Sequence, residues 1–143
     1  MNNDKIVITS ACRTAIGSFG KSLKNIESFD LGSKTIESSI EKSLLKKNEI
    51  DEIILGQVLT SGLGQNPARQ AAIKSGVPIE TPAYIVNQVC GSGMRSVASG
   101  YLSIKSGYSK IVIAGGQENM SLAPHSIHLR DGKKLGDTEL KDT

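Results

Sequence analysis

Residues Ala83 to Ala114 run AYIVNQVCGSGMRSVASGYLSIKSGYSKIVIA, and this stretch decides the fold. AYIVN (83–87) is a short β-branched run and reads as a strand. From about Cys90 to Ser106 the apolar residues Met94, Val97, Ala98, Tyr101 and Leu102 recur at helical spacing, and Gly107 is a stop. KIVIA (110–114) is a second apolar run. Strand, helix and strand joined this tightly make a right-handed crossover between parallel strands.

The same alternation extends toward the N-terminus. Glu52 to Leu59 (EIILGQVL) reads as a strand broken only by Gly56. Asn66-Pro67 is an N-cap followed by proline at the first helical position, so Ala68 to Ser75 is expected to be helical and to stop at Gly76 and Pro78. Ile36, Ile40, Leu44 and Leu45 mark an amphipathic helix capped by Asp30 or a nearby serine. Arg13 to Ser28 reads as loop, and Lys5 to Ala11 (KIVITSA) as a first strand. Near-continuous apolar strands belong in a sheet covered on both faces, so the expected class is α/β with a mostly parallel sheet and crossover helices. Past Gly115 the pattern dissolves, and the polar stretch from Pro124 to Thr143 reads as an excursion from the domain.

Composition sets the limits. The chain has 143 residues, a hydrophobic content of 38% and a net charge of +3, which suits an ordinary globular domain with an aliphatic core. Basic residues are dispersed: Lys46-Lys47 is followed by Glu49, Asp51 and Glu52, which argues against a nucleic-acid footprint. No apolar run reaches the ~18 residues of a membrane span. Met1 to Lys5 shows none of the features of a signal peptide, and two cysteines do not make a disulfide framework. The expectation is a cytoplasmic chain with reduced thiols, no membrane partner and no nucleic-acid partner.

The chemistry concentrates in Asn87 to Met94 (NQVCGSGM), where a strand end, a cysteine and a helix start fall within eight residues. A thiol there meets the positive end of the helix dipole and unpaired backbone N–H groups, which favour a thiolate nucleophile and could hold an oxyanion. Gly91 and Gly93 would leave room at the sulfur and permit a strained turn. Burial as a structural cysteine is the competing reading of Cys90 on these residues alone. Cys12 has no such elbow and is expected to be a buried structural thiol. His125 and His128 stand three apart with no third ligand near, so loop positions are favoured over a metal site.

VNQVCGSGMRSV (86–97) resembles the nucleophile segment of the thiolase family. CRTAIGSFGKSL (12–23), GQNPARQAA (64–72) and AGGQENMSLAPH (114–125) resemble further stretches of that family in the same order. Ala15 departs from the proline the family more often has there. The ending Ala-Pro-His and the following HLRDGKKLGD resemble the biosynthetic, acetoacetyl-CoA branch more than the degradative long-chain one. The resemblance implies a thiolase-like N-terminal domain over 1–119 and the start of the loop, or tetramerisation, region over 120–143.

It also implies a function. Cys90 would accept an acetyl group from acetyl-CoA, and a second acetyl-CoA would condense with it to acetoacetyl-CoA, reversibly. Coenzyme A thioesters would be the substrates, with no separate cofactor and no metal, in a homo-oligomer (dimer or tetramer). The family's activating histidine, its second cysteine and its fifth strand belong to motifs that these residues lack. The chain is therefore expected to be incomplete and inactive alone in condensation. A ketoacyl-synthase relative and a non-catalytic assembly or dimerisation module are the alternatives. A dinucleotide-binding domain is disfavoured, since no G-x-G-x-x-G follows the first strand.

Overall fold

The computed structural model describes residues 5–143; the opening residues 1–4, read above for an export signal, lie outside them. The element order is α1 (Ser28–Lys42), β1 (Glu52–Gly56), α2 (Pro67–Lys74), β2 (Ala83–Val86), α3 (Ser92–Lys105), β3 (Val112–Gly116), and the short strands β4 (His125–Ser126) and β5 (Lys141–Asp142). β2, β1 and β3 form one parallel sheet in that order, with Ile53 opposite Ala83 on one side and Ile113 on the other. β4 and β5 pair antiparallel apart from it.

β1 is the central strand and is buried along its whole length. Ile53 and Leu55 point into a core with Ile36 and Ile40 of α1 and Ala68, Ala71 and Ala72 of α2. Side chains alternate along a strand, so Ile54 and Gly56 face the opposite side, where α3 lies. Helices thus cover both faces, which explains the unbroken apolar reading of β1. No helix among the described residues is long and apolar enough to cross a membrane.

Several local expectations needed correction. Lys5 to Ala11 does not form a strand. A strand needs a partner edge, and residues 6–12 instead share with β3 the lining of an apolar cavity of about 470 Å³. Side chains fasten the segment to α1: Thr9 Oγ1 lies 3.0 Å from Ser43 Oγ, and Ser10 donates to the Ser39 carbonyl at 3.0 Å. α1 begins at Ser28 rather than beyond Asp30, and its N-cap, Glu27, makes no side-chain cap bond. Asp30 lies in the first turn and pairs with Lys74 of α2. Leu44, expected on the buried face, lies past the helix end at φ 56° and is 93% exposed; Leu45 packs on the core in its place. β1 ends at Gly56, short of Leu59, and β3 is displaced toward the C-terminus to 112–116.

The buried face of α3 also differs. Met94, Val97, Tyr101 and Leu102 are exposed, while Ser92, Ser96 and Gly100 are buried. The reason is close approach. Ser96 donates to the Gly115 carbonyl of β3 at 2.6 Å, and a Cβ on Gly100 would stand 3.2 Å from Val112 Cγ1. Only small side chains allow a helix this near a sheet.

Candidate active site

Cys90 is a free, exposed thiol in the connection from β2 to α3, two residues before the helix begins. The turn that carries it is closed by backbone bonds from Gly91 N–H to the Gln88 carbonyl and from Ser92 N–H to the Val89 carbonyl, each 3.0 Å. The Cys90 N–H takes no part in either bond. Asn87 Oδ1 accepts the Val89 N–H at 3.0 Å, and Arg95 Nε donates to Gln88 Oε1 at 2.6 Å. Ser92 works both ways: its hydroxyl accepts the Gln88 N–H at 2.8 Å and donates to the Val89 carbonyl at 2.6 Å.

The unusual backbone sits before the cysteine, two residues from the nearer of the glycines expected to permit it. Gly91 has an ordinary φ of −84°, whereas Val89 has φ 50°. A β-branched residue in the left-handed region is a true outlier, of a kind that costs of order 1–3 kcal/mol and persists only where its surroundings hold it. A Cβ on Gly93 would meet nothing within 4 Å, so that side of the helix start is open, whereas one on Gly91 would stand 3.3 Å from the Gln88 carbonyl oxygen.

Gly56 sets the depth at which α3 docks. A Cβ there would overlap the Ser92 carbonyl carbon and stand 2.5 Å from Gly93 N and 2.6 Å from Ser92 O. The missing side chain lets the end of β1 touch the first turn of α3 directly. In the sequence Gly56 reads only as a break in a strand.

Glu118 and Asn119 of AGGQENMSLAPH (114–125) brace the neighbouring segments. Glu118 accepts the Val58 N–H at 2.8 Å and the Leu59 N–H at 3.3 Å, tying the segment after β3 to the segment after β1. Asn119 Nδ2 donates to the Leu23 carbonyl at 3.0 Å and the Ile26 carbonyl at 2.6 Å. No periodicity signals such long-range side-chain bonds.

The other candidates lie apart from this turn. Cys12 is half-buried, not fully buried, and its thiol bonds α1 at the Thr35 carbonyl (3.1 Å) and Ser39 Oγ (3.0 Å). His125 is exposed in β4 and His128 exposed beyond it, and no hydrogen bond among the described residues joins either to Cys90. Among the described residues no three His, Cys, Asp or Glu side chains gather as metal ligands.

A family model described as "Thiolase, N-terminal domain" matches residues 6–143. The acetyl-CoA acetyltransferase of Rhizobium meliloti (strain 1021) is 51% identical over 143 residues, covering 100% of this chain and 36% of its own length. The cytosolic acetyl-CoA acetyltransferase of Rattus norvegicus is 45% identical over 141 residues, again with 36% of its own length covered. The crystal structure of the Bacillus anthracis acetyl-CoA acetyltransferase superimposes with a TM-score of 0.90 at 35% identity, over 95% of this chain and 35% of that one. The chain thus spans about a third of the length of the relatives it matches.

Proposed function

The chain belongs to the thiolase family, and from that premise we propose that it carries the acyl-accepting nucleophile of an acetyl-CoA C-acetyltransferase, Cys90. The Cys90 thiolate adds to the carbonyl of acetyl-CoA, the bond from that carbon to the coenzyme A sulfur breaks, and coenzyme A leaves as its thiol after taking up a proton. Acetyl-Cys90 results. A second acetyl-CoA, deprotonated at its methyl carbon, then attacks acetyl-Cys90, and acetoacetyl-CoA forms as the Cys90 thiolate departs. The reverse is thiolysis. The family resemblance assigns activation of the nucleophile to a histidine and the acid/base work toward the attacking carbon to a second cysteine, both outside these motifs.

The observation that carries the reading is the placement of an exposed thiol on a tight turn at the start of α3, with the Cys90 N–H uncommitted by that turn. A backbone N–H beside the sulfur suits an oxyanion that forms next to it. Coenzyme A thioesters are the substrates in this reading, and no separate cofactor is invoked. Residues 1–119 form the N-terminal domain and 120–143 open the loop region, a division supported by the separate β4–β5 pair. Homo-oligomer formation is supported by the exposed Met94, Tyr101 and Leu102 on α3. A cytoplasmic location is favoured by the resemblance to a relative named as cytosolic.

The first half-reaction can be tested without the carbon-acid step. Labelled coenzyme A should exchange into unlabelled acetyl-CoA in the presence of the chain, and Cys90→Ala should abolish the exchange. Equal exchange by native and Cys90→Ala chains would remove Cys90 from the role.

A further inference from the structure

We infer that Ser92 is a positioning residue for Cys90: its hydroxyl latches the left-handed backbone of Val89 and so holds the thiol at the start of α3. The inference rests on the nucleophile role proposed above and adds a residue to it. Val89 is the residue immediately before Cys90, and its φ of 50° fixes the direction in which the chain delivers the cysteine. Nothing in the valine side chain stabilises this: it is 65% exposed. The neighbours must supply the restraint.

Ser92 is placed to do so. It is 4% exposed, and its hydroxyl is bonded on both sides of the strained residue, to the Gln88 N–H before it and the Val89 carbonyl itself. The two bonds span the cysteine from 88 to 92. Asn87 adds a bond to the Val89 N–H, but from the strand side only. With the hydroxyl removed, Gln88 N–H and Val89 C=O each lose a buried side-chain partner. Only the backbone bonds from Gly91 and Ser92 N–H and the Asn87 side chain then hold Val89 against the strain of its positive φ, and the balance shifts toward negative φ. Cys90 would spend most of its time turned away from the helix start, and its reaction rate would fall with the fraction still in place.

The decisive comparison uses the 143-residue chain in three forms: native, Ser92→Ala, and Ser92→Ala combined with Val89→Gly. Glycine takes φ > 0 without strain, so the second substitution makes the latch unnecessary. Peptide-resolved mass spectrometry follows iodoacetamide alkylation of Cys90, with Cys12 as internal control, and acetyl transfer from acetyl-CoA in parallel. Ser92→Ala is expected to slow Cys90 alkylation about tenfold, the double variant to recover to within about threefold, and Cys12 to be unchanged in all three. The strong intraresidue HN–Hα cross-peak that a positive φ gives should be present at Val89 in the native chain and lost in Ser92→Ala. An unchanged Cys90 rate with the cross-peak retained in Ser92→Ala, or no recovery in the double variant, overturns the latch. Absence of acetyl transfer in every form, with the alkylation pattern as expected, counts against the acetyl-accepting role and leaves the latch standing.

Discussion

Gly56→Ala puts one methyl group where β1 meets α3. That Cβ would overlap the Ser92 carbonyl carbon and stand 2.5 Å from Gly93 N and 2.6 Å from Ser92 O. Ordinary carbon contacts lie near ~3.5 Å, so the first turn of α3 must retreat by about 1 Å. The obstructing atoms are backbone, and no rotamer change relieves them. Overpacking of this kind costs about 1–3 kcal/mol, and the backbone contact puts Gly56→Ala near 3 kcal/mol, or about 10 °C in Tm. The displaced residues hold the Ser92 hydroxyl, so Cys90 moves with them, and a 1 Å misplacement can cost on the order of 100-fold in rate. Gly100→Ala is the control, because its Cβ meets only side-chain carbons at 3.2 and 3.4 Å and gains helix propensity. Urea and thermal unfolding, with Cys90 acetylation or alkylation measured on the folded fraction, make the comparison. A Gly56→Ala chain that melts within 2 °C of native (roughly 0.5 kcal/mol on the same scale) and keeps its Cys90 rate would refute the docking argument.

Three other outcomes are expected. Glu52→Ala removes the carboxylate that accepts from Ser103 Oγ at 2.6 Å and Ser109 Oγ at 3.0 Å; denaturant titration should show a loss of about 2 kcal/mol, and Glu52→Gln, which keeps an acceptor, a smaller one. Asp51 accepts the Ile111 and Lys110 N–H groups, which lower its pKa below the usual aspartate value. That stabilisation is present above the unfolded-state pKa and lost as pH falls through the folded one. Asp51→Asn should therefore melt lower than native at pH 7, with the gap closing below about pH 4 in thermal scans across pH. The exposed apolar side chains of α3 should drive self-association, read by sedimentation velocity, and Met94→Lys with Leu102→Lys should return the chain to monomer.

The elements with strong local signals were legible. Asn66-Pro67 announced α2, and Asn66 Oδ1 does accept the Arg69 N–H at 3.1 Å. The largely apolar run Glu52 to Leu59 marked a doubly covered strand, realised over Glu52–Gly56, because burial on both faces removes any alternation. Lys5 to Ala11 failed because a strand is a property of two segments, and its own composition says nothing about whether a partner edge is within reach. The buried face of α3 is hidden from a reading by side-chain size, because the close approach to β1 and β3 is made by the small residues Ser92, Ser96 and Gly100 while the largest apolar residues face outward. The cysteine turn was visible from its glycines, yet the strain sits on Val89 and the restraint comes from Ser92, a residue whose role depends on geometry rather than type.

The central claim is that Cys90 is the thiol that takes the acetyl group. Mass spectrometry after incubation with acetyl-CoA tests it most directly, with hydroxylamine sensitivity to distinguish a thioester from acetyl-lysine. The account predicts a hydroxylamine-labile acetyl adduct on the peptide bearing Cys90, absent in Cys90→Ala and absent from Cys12. An adduct on Cys12 at equal rate, or a Cys90 that is alkylated readily but never acetylated, would contradict it.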